Sequence, residues 1–230
     1  MKVEAVIAAA GKGTRFANNR PKQFCLIAGK PVLDWTIGVF DECEDITSIV
    51  LVVPGEMMNE TREMLHLDQY PKLKCVVAGG AERHDSVRNG LKSVDTDTDV
   101  ILVHDGVRAL ISSELIRSVV RSTAKHGSAI PCLPVKDTLR RTSLNGGITE
   151  TVNRDGLYLA QTPQGFTAEV LRRAYEALVN ADWRASDEAN LLERINEPLH
   201  IVPGDERNIK ITTRFDFRVA EMLLQQESLL

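Results

Sequence analysis

Short apolar runs rich in valine and isoleucine alternate along this chain with longer segments whose apolar residues recur at helical spacing. This alternation predicts an α/β fold, with a mostly parallel sheet covered by helices. Strands are predicted at 3–9, 48–53, 74–78, 99–103, 128–134 and 200–202. Helices are predicted at 31–39, from 82 onward, and at 112–125, 168–180, 186–194 and 214–226.

The regular alternation stops between residues 136 and 160. Alternating residues at 136–142 and 148–152 flank Asn145-Gly146-Gly147, a strong turn signal, so the segment predicts a protruding β-hairpin arm. A lone two-stranded hairpin is marginal in water, and this one carries little apolar material. We therefore expect one domain over 1–230 whose 136–160 arm packs on a second copy of the chain, giving a homodimer.

Composition narrows the class of protein. The chain is 43% hydrophobic and 26% charged, with a net charge of −4, which is unlike a protein that binds nucleic acid through a basic face. The four cysteines are far apart and form no C-x-x-C pair, so a zinc ribbon or redox motif is not indicated. A strand predicted from residue 3 leaves no room for a signal peptide, and no apolar run approaches the length of a membrane span. We expect a cytoplasmic protein with a small ligand.

The first predicted strand runs into a glycine turn at Gly11 and Gly13, where backbone N–H groups can approach a ligand closely. Phe16 stands where a dinucleotide fingerprint needs glycine, and the glycine spacing is not that of a P-loop. Cations cluster in the same stretch, which predicts an anion-binding loop. They are Lys12, Arg15, Arg20 and Lys22.

Four later segments place polar residues where strands end or turns fall, the usual ligand position in open α/β sheets. They are 79–86, 103–108, 151–164 and 208–212. Asp105 is a better candidate for a functional residue than His104. Its carboxylate could contact a metal ion or accept hydrogen bonds from substrate hydroxyls. The sequence has no Gly-x-Ser-x-Gly nucleophile elbow, so covalent catalysis is disfavoured. It also has no second histidine at the spacing of zinc ligands. Cations, glycine amides and a carboxylate suit phosphoryl-type transfer.

These motifs, taken together and in order, carry a resemblance that spans nearly the whole chain. They are Ala9-Ala10-Gly11-Lys12-Gly13-Thr14-Arg15, Pro21-Lys22-Gln23-Phe24, Gly79-Gly80-x-x-Arg83-x-x-Ser86, Val103-His104-Asp105-x-x-Arg108, Lys136-Asp137-Thr138, Val152-x-Arg154-x-Gly156, Thr162-Pro163-Gln164 and Asn208-Ile209-Lys210-Ile211-Thr212. The chain resembles the 2-C-methyl-D-erythritol 4-phosphate cytidylyltransferase family.

The resemblance implies a Rossmann-like, three-layer nucleotidyltransferase fold. It also implies a reaction of non-mevalonate isoprenoid precursor synthesis, in which CMP passes from CTP to 2-C-methyl-D-erythritol 4-phosphate. The acceptor phosphate attacks the α-phosphate in line, and pyrophosphate and 4-diphosphocytidyl-2-C-methyl-D-erythritol are formed. The implied cofactor is Mg²⁺ or another hard divalent cation.

The resemblance also implies residue roles. Arg15 and Lys22 stabilise the charge on the α-phosphate. The nucleotide-binding residues are Ala9, Ala10, Gly11, Lys12, Gly13, Thr14, Gly80, Ala81, Glu82 and Ser86. The acceptor-binding residues are Asp105, Arg108, Thr138, Arg154, Thr162 and Lys210, with Thr138 and Arg154 reaching a second subunit on the arm. Asp105 contacts the metal, unless the CTP phosphates hold it.

Two departures from the family pattern leave alternatives open. The chain has His104-Asp105-Gly106-Val107-Arg108-Ala109 where the family usually has His-Asp-Ala-Ala-Arg-Pro, and Ala81 replaces a common carboxylate. One alternative is a ribitol 5-phosphate cytidylyltransferase, although 135–138 and 153–157 fit the methylerythritol enzyme better. The other is a non-catalytic nucleotide-binding module, which has no need for cations on both the donor and the acceptor side.

Overall fold

The first strand of the chain lies in the interior of the main sheet. The structure is a computed structural model, and it describes residues 1–11, 20–178 and 185–227. The strands are β1 (Val3–Ala8), β2 (Leu26–Ile27), β3 (Lys30–Pro31), β4 (Ser48–Val53), β5 (Leu73–Ala78), β6 (Val100–Asp105), β7 (Ser128–Pro134), β8 (Leu139–Thr142), β9 (Ile148–Val152), β10 (Tyr158–Ala160), β11 (Gln164–Thr167) and β12 (Ile201–Pro203). The helices are α1 (Val32–Glu42), α2 (Met58–Met64), α3 (Arg83–Leu91), α4 (Ser113–His126), α5 (Ala168–Leu178), α6 (Glu188–Arg194) and α7 (Arg214–Glu227).

The described strands of the main sheet run in the order β10-β7-β11-β6-β1-β4-β5, and β12 pairs with β7. Strands β6, β1, β4 and β5 are mutually parallel. Strand β11 runs antiparallel between β6 and β7. The predicted mostly parallel α/β sheet is confirmed, and the predicted strands at 48–53 and 128–134 match to the residue.

Helices cover both faces of this sheet, so the fold has three layers. Along β1, the side chains of Val3, Ala5 and Ile7 enter one apolar cluster, with α1 and α4. Val6 enters the cluster on the other face, with α3, α5 and α6. The alternation follows from the two-residue period of a strand, and it buries β1 on both sides.

Helix ends differ slightly from the prediction. The predicted helix at 112–125 begins at Ser113, because the Ser112 hydroxyl caps it by accepting the Leu115 N–H at 3.2 Å. The helix predicted at 186–194 begins only at Glu188, because Asp187 is its N-cap and its carboxylate accepts the Asn190 N–H at 3.0 Å. Among the described helices, none is long and apolar enough to cross a membrane.

The predicted arm is present as the antiparallel pair β8–β9, which forms a sheet of its own. Nearly all of its side chains are exposed, including Leu144 and Ile148. Beside it, the short strand β10 also exposes Tyr158 and Leu159. This stretch therefore presents apolar side chains to solvent in the isolated chain.

Glu4 is a fully buried carboxylate near the amino end of β1. It accepts hydrogen bonds from Thr98 Oγ1 at 2.5 Å, Ser48 Oγ at 2.7 Å and the Asp95 N–H at 3.0 Å. Burial by itself raises the pKa of Glu4, but these hydrogen bonds and Lys74 outweigh it, so the pKa lies below its ordinary value of 4.5. The charged form of Glu4 therefore joins three segments of the chain.

Glu4→Gln is expected to lower the free energy of unfolding near neutral pH by about 1–3 kcal/mol, because the amide turns an N–H₂ donor toward other donors. A lowered pKa stabilises the fold above pH 4.5 and stops doing so as the pH falls through the folded-state pKa. Urea unfolding at neutral and acidic pH checks this. A stability difference that stays constant on acidification would contradict it.

Candidate active site

A cavity of about 610 Å³ lies where the carboxyl ends of β1, β5 and β6 meet. The residues after β1 form one wall, the turn from β5 into α3 forms another, and Asp105 closes the end of β6. This is the usual ligand position in an open α/β sheet. The described lining residues are Ala8, Ala9, Ala10, Gly11, Lys22, Gln23, Glu56, Gly80, Ala81, Glu82, Arg83, Ser86, Asp105, Val107 and Lys210.

The wall that follows β1 is fixed by a buried amide. Gln23 Nε2 donates to the carbonyl oxygens of Ala9 at 2.7 Å and Gly11 at 3.0 Å. Gln23 lies in a short 3₁₀ turn, Lys22–Phe24, so the same contacts place Lys22 beside the end of β1. The predicted residues Lys12, Gly13, Thr14 and Arg15 lie outside the described residues.

The turn after β5 needs glycine because its backbone folds tightly against α3. A Cβ on Gly80 would lie 2.3 Å from Asp85 Cβ, which no side chain could tolerate. The Gly80 N–H donates to Ser86 Oγ at 3.0 Å, and that hydroxyl donates to the Glu82 carbonyl at 3.1 Å. Ser86 therefore shapes the turn, and the N-terminus of α3 lies at the cavity wall.

Asp105 lies at the centre of an ion cluster. Its Oδ2 is 2.8 Å from Lys210 Nζ, and its Oδ1 is 3.2 Å from Arg83 Nε. Arg108 Nε lies 3.7 Å from Oδ2, too long for a hydrogen bond. Burial raises the pKa of Asp105, but Arg83, Lys210 and Arg108 outweigh it and hold the pKa well below its usual range. Asp105 is therefore ionised at any physiological pH.

Two predicted acceptor residues lie behind this cluster, and the described cavity lining does not include them. Arg108 is buried and donates through Nη1 to the Asn208 carbonyl at 2.6 Å. Thr162 is buried, and its hydroxyl accepts the Asp105 N–H at 3.0 Å and lies 3.1 Å from His104 Nδ1. Burial lowers the pKa of His104 to about 3, so the ring is neutral. Thr162 therefore holds the backbone of Asp105, while Arg108 is held by Asn208 and faces the Asp105 carboxylate as a nearby charge.

The structure separates the two predicted residues of the arm from this cavity. Thr138 and Arg154 are exposed, and Arg154 donates to the Lys136 carbonyl within the arm. Neither belongs to the lining described above.

The residues present do not fit a metal ion held by the protein. In the described parts of the chain, no three His, Cys, Asp or Glu side chains come together as ligands. Both oxygens of Asp105 already face cations from this chain, so a divalent ion there would meet positive charge. Within the described residues, the side chains therefore offer a metal ion no site of their own.

The sequence analysis missed roles for Gln23, Arg83 and Glu56, which all line the cavity. Gln23 and Arg83 stand inside recognised motifs, but nothing in the sequence shows that Gln23 braces a loop and that Arg83 reaches Asp105.

Gly106, one of the departures from the family pattern, is explained by packing. A Cβ there would lie 2.9 Å from both Ala9 Cβ and Leu33 Cδ1.

Comparison with known proteins identifies the family of the chain. The family model of 2-C-methyl-D-erythritol 4-phosphate cytidylyltransferase (IspD) matches residues 3–226. The chain belongs to this family. The predicted family, enzyme class and Rossmann-like nucleotidyltransferase fold are thereby confirmed.

Individual cytidylyltransferases resemble the chain along its whole length. The 2-C-methyl-D-erythritol 4-phosphate cytidylyltransferase of Syntrophus aciditrophicus (strain SB) is 39% identical, over 98% of this chain and 97% of the relative. That of Rhodococcus jostii (strain RHA1) is 41% identical, over 97% and 96%. The crystal structure of 4-diphosphocytidyl-2C-methyl-D-erythritolsynthase from Anaerococcus prevotii DSM 20548 has a TM-score of 0.85 at 30% identity, covering 97% and 98%.

Gln23→Leu is expected to weaken nucleotide binding by about tenfold, because the Ala9 and Gly11 carbonyls lose their donor and the wall after β1 loosens. Isothermal titration with CTP measures the change. Gln69→Leu is the matched control, because that amide also donates to a backbone carbonyl, Leu65 at 3.0 Å, but lies outside the cavity lining. Equal CTP affinity in Gln23→Leu and wild type would contradict the bracing role.

Proposed function

We propose that this cytidylyltransferase transfers CMP from CTP to 2-C-methyl-D-erythritol 4-phosphate in the cavity at the ends of β1, β5 and β6. The observation that carries the proposal is the division of that cavity into two chemically different sides. One side is backbone and glycine, with Lys22 beside it, and the other is the ion cluster on Asp105. Family membership supplies the identity of the two substrates.

The donor side consists of residues 9–11, the turn at Gly80–Glu82 and Ser86. Closely packed backbone and the N-terminus of α3 suit a nucleobase edge and phosphates, which accept hydrogen bonds from N–H groups. Ala81 leaves no carboxylate at its position, so recognition there falls to the backbone and to Glu82. Lys12, Gly13 and Thr14 keep their nucleotide-binding role and Arg15 its catalytic role in the proposal, although all four lie outside the described residues.

The acceptor side has the charge pattern that a polyol phosphate requires. Lys210 and Arg83 offer positive charge to a phosphate, while Asp105 can still accept hydrogen bonds from hydroxyls. The Asp105 carboxylate is fixed by a cation on each oxygen, so it is already oriented before a ligand arrives. Arg108 and Thr162 support Asp105 from behind in this proposal.

The reaction needs no covalent intermediate with the protein. An oxygen of the acceptor phosphate attacks the α-phosphorus of CTP, a new P–O bond forms, and the bond to the β-phosphate oxygen breaks with its electron pair leaving on pyrophosphate. Charge grows on the α-phosphate oxygens in the transition state, and Lys22 and Arg15 are proposed to stabilise it. The protein's contribution is positioning and electrostatics.

We also propose that the divalent cation, Mg²⁺ or a similar hard ion, enters with the CTP phosphates, since the Asp105 cluster does not fit one. The 136–160 arm is proposed to form a homodimer, which would cover its exposed apolar side chains and bring Thr138 and Arg154 to the partner's acceptor side. We place the enzyme in the cytoplasm, with neither nucleic acid nor membrane as partner, and treat 1–230 as one domain.

Lys22→Ala is expected to lower kcat by about 10²–10³-fold, because it removes a preorganised donor at the transition-state charge. Pyrophosphate release from CTP is followed with methylerythritol phosphate and, in parallel, with ribitol phosphate. Lys30→Ala, which removes a lysine lying over the Trp35 ring, is the control. Near-normal turnover in Lys22→Ala would contradict the role of Lys22. In the wild-type enzyme, faster turnover with ribitol phosphate than with methylerythritol phosphate would identify a ribitol 5-phosphate cytidylyltransferase.

Mixing two impaired variants, assayed at an acceptor concentration at which Arg154→Ala alone has little activity, tests whether the site is shared. Lys22→Ala and Arg154→Ala subunits, refolded together, are expected to regain about one quarter of wild-type activity, because half of the dimers are mixed and each has one intact site. The control is the same mixture made from Lys22→Ala and Lys210→Ala. If Lys22 and Lys210 act in the site of their own subunit, each site in every dimer lacks one of them, and the mixture stays inactive. No recovery in the first mixture would contradict an arm that crosses between subunits.

A further inference from the structure

A second, fully buried carboxylate lies behind the acceptor side, and the reaction proposed above does not use it. Glu188 begins α6 and is 0% exposed. It lies outside the described cavity lining, so it cannot contact a ligand there. Buried carboxylates are costly unless they are paired, so its partners show what it does.

Those partners form a chain that ends at Asp105. Both Glu188 carboxylate oxygens accept from Arg83 Nη1, at 2.8 and 2.9 Å, and Tyr175 Oη donates to Glu188 Oε1 at 2.9 Å. The other edge of the same guanidinium donates through Nε to Asp105 Oδ1 at 3.2 Å. Because the guanidinium is planar and rigid, fixing one edge fixes the other.

Helix α6 is itself anchored to the strand beside Asp105. The buried Gln164 side chain in β11 donates to Asp187 Oδ2 at 2.8 Å and accepts the Ala189 N–H at 3.0 Å, on either side of Glu188. Gln164 pairs with Val103 of β6, the strand that ends at Asp105. Glu188 is therefore held at a fixed distance from the carboxylate that it reaches through Arg83.

We propose that Glu188 is a positioning residue for the acceptor site, which it organises by orienting Arg83 toward Asp105 and the cavity. This inference rests on the proposed function. The charges agree with it: among the described residues the cluster contains Arg83, Arg108 and Lys210 against Asp105 and Glu188, which leaves one positive charge for an acceptor phosphate. Glu188 balances Arg83 without occupying space in the cavity.

Glu188→Gln keeps the shape of the side chain and removes its charge, so Arg83 is no longer held by two charged oxygens. The KM for methylerythritol phosphate is expected to rise by about tenfold or more, while the KM for CTP changes by less than about twofold. Glu193→Gln is the matched control on the same helix, because that carboxylate is exposed and accepts a hydrogen bond from Asn190 Nδ2 at 3.0 Å. Its kinetics should equal those of wild type.

A double-mutant cycle separates positioning from general stability. If Glu188 acts through Arg83, then Glu188→Gln combined with Arg83→Lys raises the acceptor KM no further than Arg83→Lys alone. Should Glu188→Gln fail to fold, Tyr175→Phe gives the same readout, with a smaller rise confined to the acceptor KM. Additive effects, or equal rises in both KM values, would overturn the inference. A wild-type enzyme that does not turn over these substrates would instead overturn the proposed function.

Discussion

Asp105 is a buried carboxylate at the end of a central strand, and it can remain charged there only because cations converge on it. Lys210 arrives from the segment before α7, Arg83 from the start of α3, and Arg108 from the loop after β6. Each cation comes from a different segment beside the edge of the sheet where the cavity lies. The requirement to pair one carboxylate thus determines how these elements meet, and the resulting surplus of positive charge suits a phosphorylated ligand.

The opposite side of the cavity depends on close packing of the backbone instead of charge. Gly80 has no room for a Cβ, and Gln23 holds the carbonyls that follow β1. A site of this kind binds through N–H groups whose positions are fixed by the fold. In the proposed function, backbone groups recognise the nucleotide and ion pairs recognise the acceptor, so each substrate is recognised by different chemistry.

The fold was largely predictable because β1, β4 and β7 are rich in apolar residues and the helices between them have clear starts. Strand β11 was missed, because Gln164–Thr167 is four residues long and includes a glycine. The polar segments at strand ends and the family resemblance pointed to Lys22, Asp105 and Lys210, and the structure places all three at the cavity. The buried positions of Arg108 and Thr162 and the ion pair from Arg83 to Glu188 result from contacts between distant segments. Such contacts depend on side-chain packing and leave no local pattern in the sequence.

The proposed reaction is a direct in-line transfer between two substrates bound in this cavity. The most direct measurement is the stereochemical course at the α-phosphorus, with one diastereomer of CTP carrying sulfur on the α-phosphate as donor and ³¹P NMR of the product as readout. A single displacement predicts inversion of configuration. Retention would require two displacements through a covalent enzyme intermediate, and it would contradict direct transfer between the two substrates.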